Sequence, residues 1–152
     1  MDVLSASIYD NKIAWYENDG AGSFSAQQVI TASSKTARSV YAADLDGDGD
    51  MDVLSASSGD NKIAWYANDG CGSFGSQQVI TTAARGAQSV YSADLDGDGD
   101  MDVLSASENN NKIAWYDNNG SGSFFVEQVI SKTVYYAESV SVSYTHLRAH
   151  ET

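Results

Sequence analysis

Residues 44–52 read D-L-D-G-D-G-D-M-D, and residues 94–102 repeat the same nine letters. Five aspartates alternate in each stretch, close enough for like charges to repel. Together the two stretches hold ten of the 21 acidic residues of the 152-residue chain. A hard dication converts that repulsion into attraction. Calcium takes 6–8 oxygen ligands at roughly 2.3–2.6 Å, and alternating aspartates in a tight loop aim oxygens at one centre. Asp44, Asp46 and Asp48 stand at the first, third and fifth positions. Asp50, at the seventh, offers a backbone carbonyl, and Asp52, at the ninth, a further carboxylate. Gly49 between them permits a turn that a side chain resists. The second loop repeats the set with Asp94, Asp96, Asp98, Asp100 and Asp102 around Gly99. These ten aspartates are the candidate metal ligands, and Ca²⁺ is the expected cofactor. Mg²⁺ suits the loop less, because it takes fewer protein ligands and keeps its water. An EF-hand needs an acid at the twelfth position and helical flanks. Ser55 and Ser105 stand there, and the flanks read as strands.

The loops recur because the whole unit recurs. M-D-V-L-S-A-S begins at Met1, Met51 and Met101, and N-K-I-A-W-Y at Asn11, Asn61 and Asn111, a period of 50 residues. About three quarters of the first two repeats are identical, which marks duplication of one supersecondary unit. Each unit reads as four strands. In the second they are residues 39–45, leading into an acidic loop, then 51–57, 61–66 and 73–81, with turn signals at S-G-D-N (58–61) and N-D-G-C-G (68–72). Both faces of the 61–66 strand carry apolar residues, as in a sheet covered on both sides. No segment sustains a 3.6-residue apolar period. Four short strands per repeat of this length point to a propeller blade packed between neighbours.

A-D-L-D-G-D-G-D-M-D-V-L-S-A-S resembles the core of the FG-GAP/VCBS repeat, found in integrin α-subunit propellers and in many secreted bacterial proteins. The likeness covers residues 1 to about 140. It implies an all-β fold: a β-propeller with calcium in the loops between the first two strands of each blade. The expectation for this chain is a fragment of such a propeller, with about three four-stranded antiparallel blades. A β-trefoil or β-prism, also three repeats of four strands, is the alternative, and the calcium loops argue against it. Residues 1–140 form the partial propeller: 1–38 a blade lacking its first strand, then 39–88 and 89–138. Residues 139–152 start a next blade and run into a tail. Val142 to Thr152 resembles the translation of an adaptor oligonucleotide used in sequencing libraries, so this tail is expected to be non-native. Met1-Asp2 matches the end of an acidic loop, so the chain is expected to start inside a motif, and the remaining blades of a longer parent chain are expected partners. His146 and His150, beside Glu151, have a metal-like spacing, but they lie in that tail.

Composition narrows the function. Hydrophobic residues at 42% and charged residues at 19% describe a globular chain. A net charge of −13 argues against nucleic acid or anionic membrane surfaces, both of which need Lys/Arg patches. No apolar run approaches a membrane span. The lone Cys71 excludes an internal disulfide, and Ala21 and Ser121 take its place in the other repeats. Trp15, Trp65 and Trp115 recur once per repeat, as inter-blade packing or as sugar-stacking platforms, and packing is the default for strand aromatics. Lys12, Lys62 and Lys112 read as solvated or ion-paired. Glu17, Glu108, Glu127 and Glu138 are candidate acids with no partner that spacing reveals. No nucleophile elbow or phosphate loop occurs, so catalysis is not expected. Near-identical repeats favour equivalent binding surfaces. The differences fall at Ile8-Tyr9, Glu17, residues 32–38 and Phe125-Val126, where ligand contacts of a propeller sit. The expected role is non-catalytic binding of glycan or protein partners outside the cell or at its surface, where calcium is millimolar. The alternative is an ancillary propeller of a secreted hydrolytic enzyme whose catalytic domain lies elsewhere.

Overall fold

The computed structural model describes residues 1–143. The histidine pair and most of the adaptor-like tail lie outside the described residues. Eleven strands form three antiparallel sheets, with no helix among the described residues. The first holds β1 (Val3–Ser7), β2 (Lys12–Tyr16) and β3 (Gln28–Thr31). The second runs β4 (Ala37–Ala43), β5 (Asp52–Ser57), β6 (Lys62–Tyr66) and β7 (Gln78–Thr81). The third repeats it with β8 (Ala87–Ala93), β9 (Asp102–Ser107), β10 (Lys112–Tyr116) and β11 (Gln128–Ser131). Strands pair in chain order, and only within their own repeat. That is the arrangement of propeller blades, not of a barrel shared among repeats.

The chemistry of the strands follows from their place. β5 and β9, second in their sheets, are buried along their whole length, so V-L-S-A-S carries small and aliphatic side chains on both faces. One face of β5 and β6 gives Leu54, Ala56, Ile63 and Trp65 to a core shared with Val90, Val103 and Tyr116 of the third sheet. The other face gives Val53 and Tyr66 to a core shared with Leu4, Ala6 and Ile13 of the first. The first strands of neighbouring blades also touch: Tyr41 and Tyr91 stack with ring centroids 4.4 Å apart.

The fourth strand is shorter than its sequence suggests. It covers Gln78–Thr81, and the predicted residues before it hold only an isolated bridge, Asn68 to Phe74. Just before it, side chains have taken the backbone donors of residues 70–73. Asn68 Oδ1 accepts the N–H groups of Gly70 and Gly72, and Asp69 Oδ1 those of Cys71 and Ser73. Such side-chain bonds compete with a ladder. The same pattern recurs at Asn18-Asp19 and Asn118-Asn119.

Trp15 and Trp65 pack between blades, as the default reading had it. Trp65 is 3% exposed. A Cβ at Gly122 of the next blade would lie 2.4 Å from its ring, and one at Gly72 would lie 2.6 Å from Trp15. Gly122 has φ +76°, Gly22 has φ +91°, and a Cβ at Gly22 meets nothing within 4 Å. Gly22→Ala should therefore cost only the left-handed backbone strain, about 1 kcal/mol. Gly122→Ala adds overpacking against Trp65, for a total of about 2–4 kcal/mol. Paired urea melts check the difference, and equal losses would show that the tryptophan contact is slack.

Candidate metal centre

Strand order sends the connections to two ends of each sheet. Loops 44–51 and 94–101 share one end with the hairpins around residues 68–74 and 118–124. At the other end lie the turns 8–11, 58–61 and 108–111, beside the inter-blade connectors. Asn11, Asn61 and Asn111 hold that end together. Each sits at positive φ, and each Oδ1 accepts a connector N–H, from Thr36, Gly86 and Tyr136 respectively. Asparagine tolerates this conformation better than most residues.

Within the first acidic loop, backbone N–H groups organise the carboxylates. Asp44 accepts from Gly47 at 2.8 Å and from Gly49 at 3.0 Å, one to each oxygen. Gly47 and Gly49 have φ near +79° and +93°, which is how two donors converge on one side chain. Asp46 Oδ1 accepts from Asp48, and Asp48 Oδ1 from Asp50. The loop is clamped from outside as well. Asn118 Nδ2 of the next blade donates to Leu45 O at 2.7 Å.

Carboxylate oxygens of Asp44, Asp46 and Asp48 all lie within 4.8 Å of one another. Ligands about 2.3–2.6 Å from one ion are separated by no more than about 5 Å, so the three fit a common centre. The donor set is all oxygen, which suits a hard cation. In the second loop two overlapping groups meet the same spacing: Asp94, Asp96 and Asp102, and Asp96, Asp98 and Asp117. Burial, and then the charge of Asp48, holds Asp46 above the ordinary carboxylate range. Asp96 is raised in the same way, with Asp98 as its charged neighbour. A bound cation would relieve that crowding.

The ten predicted aspartates divide into roles. Asp44, Asp46 and Asp48 cluster, and Asp96 joins two clusters, one with Asp94 and Asp102 and one with Asp98 and Asp117. Asp50 and Asp100 belong to neither group: a Cβ at Gly70 or Gly120 would lie 2.7 or 2.6 Å from their carboxylates. Asp52 and Asp102 are fully buried braces. Asp52 accepts Leu45 N–H at 2.8 Å and Asn68 N–H at 2.9 Å, tying the loop to the strand end and to the hairpin. Asp102 does the same with Leu95 and Asn118. Burial pushes both above the usual range, against the pull of those donors. Asp2 repeats half of this, accepting Asn18 N–H at 2.8 Å.

Asp117 is the residue that sequence reasoning missed. Burial raises it, with further push from Asp96, Asp98 and Asp100. Its counterparts are Glu17 and Ala67, so the variation at this place marked it, although only Glu17 drew notice. Of the candidate acids, Glu127 is committed to Lys112 at 2.7 Å, with Tyr116 beside it. Burial first, then Glu127, pushes the Tyr116 hydroxyl up to about 12. The other repeats place Gln27 and Gln77 there, each donating to its tyrosine. Glu108 accepts from Gln88 at 2.6 Å. Lys12 and Lys62 pair with Asp10 and Asp60, as the ion-paired reading expects.

Three antiparallel blades, with an acidic loop joining the first two strands of the second and third, define a propeller-like repeat protein carrying carboxylate clusters that can hold a metal ion. The sequence model of the FG-GAP-like repeat matches residues 1–55, 44–105 and 94–143, and the chain belongs to that family. Successive matches overlap at 44–55 and 94–105, the acidic loop and the strand after it. No curated protein matches the chain.

Proposed function

We propose that the chain is a calcium-stabilised, non-catalytic binding module that works outside the cell or at its surface, with glycan or protein partners. The observation that carries this is the grouping of three carboxylates within 4.8 Å in each acidic loop. Asp44, Asp46 and Asp48 would hold one ion, and Asp96 the other, together with Asp94 and Asp102 or with Asp98 and Asp117. The ion supplies charge compensation and rigidity. The protein supplies two ends of different character. The calcium end repeats the acidic loop in the second and third blades, with variation at residues 17, 67 and 117 and at 125–126. The opposite end carries much of the variation and exposes Tyr9, Tyr135 and Tyr136, at 99%, 76% and 74%. Exposed tyrosines give rigid, amphipathic contact area, suited to sugar rings or protein surfaces. FG-GAP-like repeats are typical of extracellular proteins, where calcium is available to such loops. Among the described residues no helix is long and apolar enough to cross a membrane.

Glycan and extracellular-protein arrays probed with the calcium-loaded chain test the partner class. Binding should fall about tenfold or more when Tyr9, Tyr135 and Tyr136 are changed together to alanine. A signal that survives the triple change would remove this end as the binding surface.

A further inference from the structure

One packing rule operates twice inside the chain. Leu4, Ala6 and Ile13 of the first sheet face Val53, Tyr66 and Phe74 of the second. Leu54, Ala56, Ile63 and Trp65 of the second face Val103, Tyr116 and Phe124 of the third. At each junction a tryptophan lies on a glycine of the next sheet, Trp15 on Gly72 and Trp65 on Gly122. The third sheet carries the giving face once more, as Leu104, Ala106, Ile113 and Trp115. The first sheet carries the receiving face, as Val3, Tyr16, Gly22 and Phe24. Among the described residues no sheet packs on either. Val3 and Phe24 are 46% and 50% exposed and Ile130 of the third sheet is 59% exposed, whereas Ile113 and Trp115 are half-buried and Leu104 and Ala106 already buried.

The strands carry the same message. β5 and β9 each pair with a first strand, whereas their counterpart β1 is an edge. Residues 137–142 belong to no strand, yet they follow the pattern of a first strand. Val140 N–H donates to Ser89 Oγ at 3.3 Å, as Val90 N–H does to Ser39 Oγ at 3.2 Å. Val140 and Val142 are half-buried, and Ser139 and Ser141 are exposed, a strand-like alternation.

We propose that a second copy of this chain docks head to tail, its first sheet on the third sheet of the first copy and its β1 laddered to residues 137–142. The contact extends an interface that the chain already makes twice, and the second copy carries the receiving surface ready shaped. The register follows from the pairs Val40–Ser55 and Ala42–Val53: Val140 should lie opposite Ser5, and Val142 opposite Val3, of the second copy. Main-chain pairing then adds to apolar burial, as in other strand additions. A longer chain would meet the same surface with its own next repeat. Two copies docking reciprocally give a closed ring of six sheets, and one-way docking gives an open series.

Sedimentation velocity of the full chain tests this, at an ionic strength that screens its charge of −13. The chain should associate with rising concentration, to a closed dimer or to a series. Trp115→Ala, on the giving face, should weaken association about 30-fold. Gly22→Val, on the receiving face, should do the same, because its new side chain meets Trp115 of the other copy. Circular dichroism melts of both variants at low concentration check that each still folds. A chain that stays monomeric throughout overturns the proposal, and so does association that either folded variant leaves unchanged.

Discussion

Removing calcium is expected to lower the melting temperature of this chain by about 10–20 °C. A ligand at a hundred times its dissociation constant stabilises the folded state by about 2.7 kcal/mol per site. Two acidic loops with no carboxylate in common would make two sites, and independent terms would add to about 5 kcal/mol. A domain of this size shifts by about 2–4 °C for each kcal/mol. The direction is set by the loop itself. Without an ion, burial and like charge keep Asp46 and Asp96 above the ordinary carboxylate range, so the folded loop carries a cost that the unfolded chain does not. Magnesium at equal concentration should restore less, because it needs tighter octahedral geometry. Scanning calorimetry with calcium, magnesium and chelator decides the matter. Identical melting in calcium and chelator would sink the reading of both loops as calcium sites.

Much of this architecture was legible in the residues because duplication exposes it. A period of 50 places equivalent strands without any propensity argument, and the pairs Leu54–Trp65 and Leu104–Trp115 occupy the same register. Three things were not legible. Residues 73–77 look like strand by composition, but Asn68 and Asp69 take the donors of residues 70–73, a choice made by side-chain geometry. Lys112 and Glu127 are separated by 15 residues, and only the folding of β11 beside β10 brings them together. The aspartates looked equivalent because alternation treats all five alike. Burial does not: Asp52 and Asp102 are fully buried and each accepts two backbone N–H groups, while the other aspartates of the loops are half-buried or exposed. A spacing pattern finds the site but cannot assign the work within it.

That division of work predicts the second large effect. Asp102→Asn should cost about 1–3 kcal/mol in chelator, where no calcium role can contribute, and Asp102→Ala about 2–6 kcal/mol. Both oxygens of Asp102 accept backbone donors, a buried one from Asn118 and a half-buried one from Leu95, each at 2.9 Å. Alanine leaves both donors without a partner. Asparagine has one oxygen and one NH₂ group, so in either orientation a backbone N–H faces another donor. A countervailing term exists. Burial raises the Asp102 pKa, so a neutral side chain there escapes some desolvation cost. The lost acceptor should still win, because the donors are fixed by the strand end and the hairpin and cannot turn to water. Asp98→Asn is the contrast. Asp98 is exposed, and its single backbone bond, from Asp100 N–H at 2.9 Å, needs only one oxygen, which asparagine keeps. In chelator it should be slightly stabilising, because it removes a charge that crowds Asp96 and Asp117, and it should lose stability only in calcium. Denaturant melts of the two variants, each with calcium and with chelator, give four numbers that separate brace from ligand. If Asp102→Asn matched the parent chain in chelator, Asp102 would be a ligand only, and the loop would owe its shape to the ion.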